Sequence, residues 1–328
     1  MGRMHFGHWK KQKGFEVVAL CDKNTAQFAE GIEGVNQKGA DNSTDFGSAV
    51  IYDDFTKMLA EANLDLISLT LPTPLHVPLT IQALNAGVSV LCEKPMALDS
   101  KACGKMLAAA AKAPNGAQLV IAHCLRFWPC YTYLKQLIDS NKYGKVVAAS
   151  FKRYSAMPGW GKGPNWYTDE SKSGGVALDL HIHDADMVSY LFGMPKSVTS
   201  SASYNDAGIM THISTLYDVG EAVVSAEGCW SMTPTFGFEA SYMVTFENAV
   251  VVMDVNRDDA LSVYPAKGKK FSPKIKGGDG YQYEIKWFAD KIKGLAVEDV
   301  ITPEQSRDSV RIIDAEKRSA LSGRKVPL

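Results

Sequence analysis

No apolar run in this sequence approaches the about 18 residues that a membrane-spanning helix requires, and its first residues, MGRMHFGHWKKQKG, contain no apolar core of a secretory signal. Net charge is nearly absent as well: 35 Lys and Arg stand against 36 Asp and Glu, leaving −1 at pH 7. No bulk field therefore draws the chain to nucleic acid or to an anionic membrane, and neither is expected as a partner. The six cysteines (Cys21, Cys92, Cys103, Cys124, Cys130 and Cys229) form no CxxC pair and no zinc-like spacing. Several fall in apolar runs and read as buried thiols of a reducing compartment, which points to the cytoplasm. Internal repeats and low-complexity tracts are missing too, which removes solenoids and disordered linkers from consideration.

What is present is an ordinary globular composition, 46% hydrophobic and 22% charged, long enough for two domains. Through the first third, strand and helix patterns alternate. Strands are expected at Phe15 to Cys21, Val50 to Tyr52, Leu64 to Leu71, Val88 to Cys92 and Leu119 to Ala122. Helices are expected at Arg3 to Lys13, from Asn24, and at Asp53 to Ala62, Val77 to Ala86 and Ser100 to Lys112. Gly31 to Ser48 reads as a loop insertion. Such alternation argues for a doubly wound parallel sheet with right-handed crossovers. After about Leu125 the pattern changes. A helix (Tyr131 to Ser140), a strand (Val146 to Tyr154) and a helix (His181 to Leu191) precede alternating runs from Ser197 to Val263, which read as antiparallel sheet. Two helices, Tyr281 to Ile292 and Pro303 to Ser322, end the chain. The fold class expected is α/β: a Rossmann-like doubly wound domain over residues 1–125, followed by an α+β domain with an open antiparallel sheet over residues 126–328. The last helix is expected to return towards the first domain.

The chemistry concentrates at a few places. The buried run Val88 to Cys92 stops abruptly in Glu93-Lys94-Pro95. In open α/β sheets ligands sit just outside the carboxyl ends of the strands, so Lys94 is placed for chemistry, although a plain strand-to-helix turn also accounts for the tripeptide. Asp22 follows the first strand pattern, 20 residues after Gly2. An acid there accepts hydrogen bonds from the adenosine ribose and disfavours a 2′-phosphate; the neighbouring Lys23 leaves NADP open. Met1-Gly2-Arg3-Met4-His5 matches only the tail of a GxGxxG loop, with Gly2 as its last glycine, and the strand and glycines that belong before it are absent from the sequence. Thr70 is the last residue but one of the strand LDLISLTL, and Pro72, Thr73 and His76 lie in a turn after it, beside the expected nicotinamide ribose, though a plain turn and helix cap accounts equally well for His76. Asp179 and His183 are four apart, which on a helix puts both on one face. A carboxylate holding an imidazole is what a general base needs. Asp184 could do the same; a core pair or a metal site are the competing readings, and no metal is expected, because no further ligand has the spacing. The loop Met157 to Tyr167 carries Trp160, Trp166 and Tyr167, whose faces suit stacking on sugar rings, though an oligomer contact or a packed loop explains them equally well. Lys152 and Arg153 nearby would favour a carboxylated or phosphorylated sugar, although exposed bases are usually just solvated.

Taken together, these features resemble the Gfo/Idh/MocA oxidoreductases, the family of glucose-fructose oxidoreductase and inositol dehydrogenase. Asp22, the TPLH turn at 73–76, EKP at 93–95, AHCLRFWP at 122–129, GGVALDLHIHDADMVSYLFG at 174–193 and the terminal EQSRDSVRIIDAEKRSALSGRKVPL carry the resemblance, which spans essentially the whole chain. It implies that Lys94 contacts nicotinamide ribose and substrate hydroxyl, that His183 is the general base, and that Asp179 binds substrate and orients the site. Glu93 and Pro95 would shape the turn, with Lys94-Pro95 cis, and Arg126 would touch substrate or cofactor at the domain junction. The implied activity is NAD-dependent hydride transfer to or from a secondary alcohol of a sugar, cyclitol or related polyol. A glycosidase using NAD transiently and a non-catalytic member with poor cofactor binding are the alternatives. A homodimer or homotetramer is expected, because an open sheet face with apolar residues invites covering.

Overall fold

The computed structural model describes residues 1–29, 45–159 and 166–328. Trp160 and most of the Gly31 to Ser48 insertion lie outside them. The first region runs α1 (Gly2–Trp9), β1 (Ala19–Cys21), β2 (Val50–Tyr52), α2 (Phe55–Glu61), β3 (Leu66–Leu69), α3 (His76–Asn85), β4 (Ser89–Glu93), α4 (Ser100–Ala110) and β5 (Leu119–Ala122). Every pairing is parallel. β3, β4 and β5 form one sheet, with Leu69 opposite Cys92 and Glu93 opposite Ala122. All five residues of β4 are buried, which is why its sequence is a continuous apolar run rather than an alternation.

β1 and β2 pair only with each other. The parallel strands therefore make two sheets, and a cleft of about 2600 Å³ lies between β1 and β3. No described residue fills the position between them, where the winding order of this fold puts its first strand. The strand expected from Phe15 is three half-buried residues long, and among the described residues its inner edge has no strand to hydrogen-bond. The helix expected from Asn24 is a single 3₁₀ turn, Thr25–Phe28. Asp54, not Asp53, caps α2 by accepting from the Lys57 amide at 2.7 Å.

The second region comprises α5 (Pro129–Asp139), β6 (Val146–Ser155), α6 (Glu170–Ser173), α7 (Ile182–Phe192), β7 (Ser197–Tyr204), β8 (Met210–Asp218), β9 (Val223–Cys229), β10 (Phe238–Phe246), β11 (Ala249–Asp254), β12 (Leu261–Pro265), α8 (Gly280–Ile292), α9 (Pro303–Ser322) and β13 (Val326–Pro327). Its eight strands lie in the order β12-β11-β10-β6-β9-β8-β7-β13. Only β6 and β9 run parallel. α7 and α9 cover one face, while Val147, Leu216, Val223 and Met243 are half exposed. α9 opens with a capping box, Thr302 with Gln305. It ties the two regions together: Asp314 accepts from the Ser100 amide at 3.0 Å, and Ser319 accepts from the Ser200 amide at 2.9 Å.

Between α6 and α7 the chain does not enter a plain helix. Ala177–His181 winds as a π-helical turn before α7 begins. This wider turn lies against β9 at Gly228, where a Cβ would come within 2.7 Å of His181 Cβ and 3.2 Å of its Cα. Only glycine admits that approach. Gly228→Ala should therefore lower stability by about 1–3 kcal/mol, the usual cost of overpacking a close-packed site; urea unfolding with an unchanged midpoint would refute this packing account.

Candidate active site

β4 delivers Glu93-Lys94-Pro95 to the carboxyl edge of the sheet, and hydrogen bonds to Glu93 fix the turn. The Glu93 side chain is buried. Its Oε1 accepts from His5 Nε2 at 3.0 Å and its Oε2 from the Lys94 amide at 3.1 Å. His5 Nδ1 lies 2.9 Å from Ser68 Oγ, which accepts from Trp9 Nε1 at 2.9 Å. α1 is thus pinned to β3 and β4 by one hydrogen-bonded chain. Burial works against ionised Glu93, but the His5 contact and the Lys94 charge outweigh it and hold the carboxyl below its ordinary range. Lys94-Pro95 is cis.

Lys94 reaches across to the other region. Its Nζ donates to the Asp179 carbonyl at 2.6 Å and to Asp179 Oδ1 at 3.2 Å. Burial would lower this ammonium's pKa; the Asp179 and Glu93 carboxylates, with Tyr167, overcome that and raise it. Lys94 is therefore a charged hydrogen-bond donor at neutral pH, not a base.

Asp179 consequently does not hold His183. The i, i+4 argument assumed α-helical spacing, and the π turn at Ala177–His181 rotates Asp179 towards Lys94 instead. His183 is half-buried, and its Nδ1 has no hydrogen-bond partner among the described residues. Desolvation, then the charges of Lys94 and Arg153, push its pKa well below the ordinary value. The partial exposure of the ring relieves some of the burial effect, while the two cations remain. A neutral imidazole beside a charged ammonium is an acid–base pair with its pKa values driven apart.

Two arginines expected at ligands are structural. Arg153 donates to Asp184 at 3.0 and 3.1 Å and to Tyr131 at 3.2 Å. Arg126 donates to Asp186 at 2.8 and 2.9 Å, and to Gln305 and the Val300 carbonyl. Both are buried and balanced by carboxylates from α7, so neither is offered to substrate or cofactor. Met4, Thr73, His76, Glu93 and Pro95, expected at the cofactor, are buried away from the cleft. Gly2, Arg3, Asp22, Lys23, Thr70 and Pro72 do line it.

These residues fit a dinucleotide. Asp22 sits at the end of β1 in a turn closed by the Asn24 amide at 2.8 Å. At Gly2, the first residue of α1, a Cβ would stand 3.1 Å from Thr70 Oγ1. The helix start and the residue after β3 thus approach closely, and a helix N-terminus is suited to a phosphate. In the second region, Tyr167 packs on Trp166 at a tilt of 32° with ring centroids 4.3 Å apart and meets Trp230 edge-on. Reading the sequence missed Trp230 and His5. Their only local signal is an aromatic after a strand and a histidine three residues past a glycine.

Residues 1–121 match the oxidoreductase family model described as an NAD-binding Rossmann fold, and residues 131–261 match the GFO/IDH/MocA C-terminal domain. The chain belongs to the Gfo/Idh/MocA family. It is 28% identical over 202 residues to the D-glucoside 3-dehydrogenase of Escherichia coli (strain K12), covering 60% of this chain and 53% of that protein. It is 31% identical over 195 residues to the 2,7-anhydro-N-acetylneuraminate hydratase of Mediterraneibacter gnavus (strain ATCC 29149 / DSM 114966 / JCM 6515 / VPI C7-9), covering 58% and 46%. The chain thus spans about half the length of the curated relatives it matches. A levoglucosan dehydrogenase structure in complex with NADH and levoglucosan superposes with a TM-score of 0.82 at 18% identity, covering 100% of this chain and 96% of that one, which is a likeness of fold.

The electrostatics of this family member's site lead to a direct measurement. Following the His183 ring carbon by NMR against pH should show a neutral imidazole at pH 6.5 and a midpoint well below it. In Lys94→Met, which removes a neighbouring positive charge, the midpoint should rise. An unmoved midpoint would mean that the two groups do not face each other.

Proposed function

We propose that this protein catalyses reversible, NAD-dependent oxidation of a secondary alcohol on a sugar, cyclitol or related polyol. One observation supports the reading: Lys94, delivered by β4 to the carboxyl edge of the parallel sheet, is held charged by Asp179 of the second region, and its charge helps to keep His183 neutral. Asp22 at the ribose position favours NAD over NADP. Nicotinamide, when bound, supplies the hydride acceptor. His183 takes the hydroxyl proton, which its neutral form allows near pH 7. Lys94 donates a charge-assisted hydrogen bond to the developing alkoxide. Asp179 holds the lysine in place, so that substrate hydroxyls compete only for the N–H groups left over. Tyr167 and Trp166 supply an apolar face for a sugar ring. The similarity to a hydratase favours a second reading, in which oxidation is transient and no NADH accumulates.

NADH titration with tryptophan fluorescence comes first; absence of quenching at ordinary cofactor concentrations would mean a member that keeps the fold without binding cofactor. A polyol and sugar panel with NAD and NADP, followed by absorbance of the reduced cofactor, then tests the reaction. On the best substrate His183→Ala should cost roughly 10²–10⁴-fold in kcat. A Lys94→Ala variant with full activity would overturn the assignment of Lys94. Substrate consumed without NADH would select the second reading.

A further inference from the structure

His76 was expected beside the nicotinamide ribose, and the structure puts it elsewhere. It is the first residue of α3, 1% exposed, with its ring turned inward. Nε2 lies 2.7 Å from the Leu71 carbonyl, just past the end of β3, and Nδ1 lies 2.8 Å from the Pro95 carbonyl, just past the end of β4. Backbone pairing of these strands ends at Leu69 opposite Cys92. Beyond that point the ring lies between the two chain ends that the ladder has left. Both partners are acceptors and burial lowers the pKa of the ring, so the neutral ring donates to one carbonyl, through whichever nitrogen carries the proton, and to both only when charged.

Lys94 sits inside this arrangement. On one side Glu93 is fixed by its strand pairing with Ala122 and by His5. On the other side, the polar contact to the Pro95 main chain is His76. We infer that His76 is a positioning residue for Lys94: it fixes the main chain after Lys94 so that Nζ meets Asp179 and the substrate. The inference rests on the reading of Lys94 given above and adds a residue that touches neither substrate nor cofactor. Displacing a catalytic group by about 1 Å costs on the order of 10²-fold, so the effect belongs in turnover rather than in dinucleotide binding.

Three substitutions separate the contacts. His76→Asn places a side-chain amide near the position of Nδ1, towards Pro95; His76→Gln places one near Nε2, towards Leu71; His76→Leu removes both. In the protein without cofactor, reductive methylation with ¹³C-formaldehyde reports each lysine, and the Lys94 signal is identified by its loss in Lys94→Ala. Its midpoint should lie above that of the surface lysines. It should fall towards theirs in His76→Leu and His76→Gln, and stay high in His76→Asn. On the best substrate, kcat should drop about 10- to 100-fold in His76→Leu with the KM for NAD within about threefold, and His76→Asn should recover most of it. Thermal melting checks folding; if His76→Leu does not fold, the Asn and Gln pair carries the comparison. An unmoved Lys94 midpoint, or equal behaviour of Asn and Gln, overturns the inference. A Lys94→Ala variant with full turnover overturns the reading of Lys94 instead, and leaves the midpoint measurement to judge His76.

Discussion

An ammonium group withdrawn from water needs carboxylate close by, or it loses its proton. Lys94 meets that need across the junction of the molecule. Glu93 comes from its own strand, and Asp179 comes from a π turn that belongs to the other region. The two regions must therefore keep a fixed relation to within a hydrogen-bond length. Arg126 is the weld. It lies just past β5 and is bonded to Asp186 on α7 and to Gln305 on α9. α9 adds the Asp314 contact to the start of α4. A cation that looked from the sequence like a ligand group is instead what lets another cation be one.

Local patterning made much of this fold readable. The apolar run before Glu93 marks a central parallel strand because both of its faces are covered. Pro303 to Ser322 is a helix end to end, with its capping box written in Thr302 and Gln305. Where the reading failed, the cause was nonlocal or geometric. Nothing in the periodicity of Ala177 to His181 announces a π turn, and with it the Asp179–His183 pair dissolves. Arg153 and Arg126 find their carboxylates 31 and 60 residues away, a distance at which no spacing rule applies. The first strand shrinks to three residues because a strand is stabilised by neighbours on its edges, which a one-dimensional pattern does not contain.

The same pairing logic explains the neutral histidine. The block from 179 to 186 holds three acids and two histidines, and each acid is already committed. Asp179 faces Lys94, Asp184 faces Arg153, and Asp186 takes Arg126 and Ser309. His181 has Glu316 and Tyr217 as partners, and its pKa rises although burial opposes this. His183, two residues on, has no carboxylate among its hydrogen-bond or ion-pair partners in the described residues and feels Lys94 and Arg153 instead. Two imidazoles of one helical segment are thus driven in opposite directions by which acids remain available to them. A base able to take a proton near neutrality is obtained here by giving every neighbouring carboxylate to some other cation.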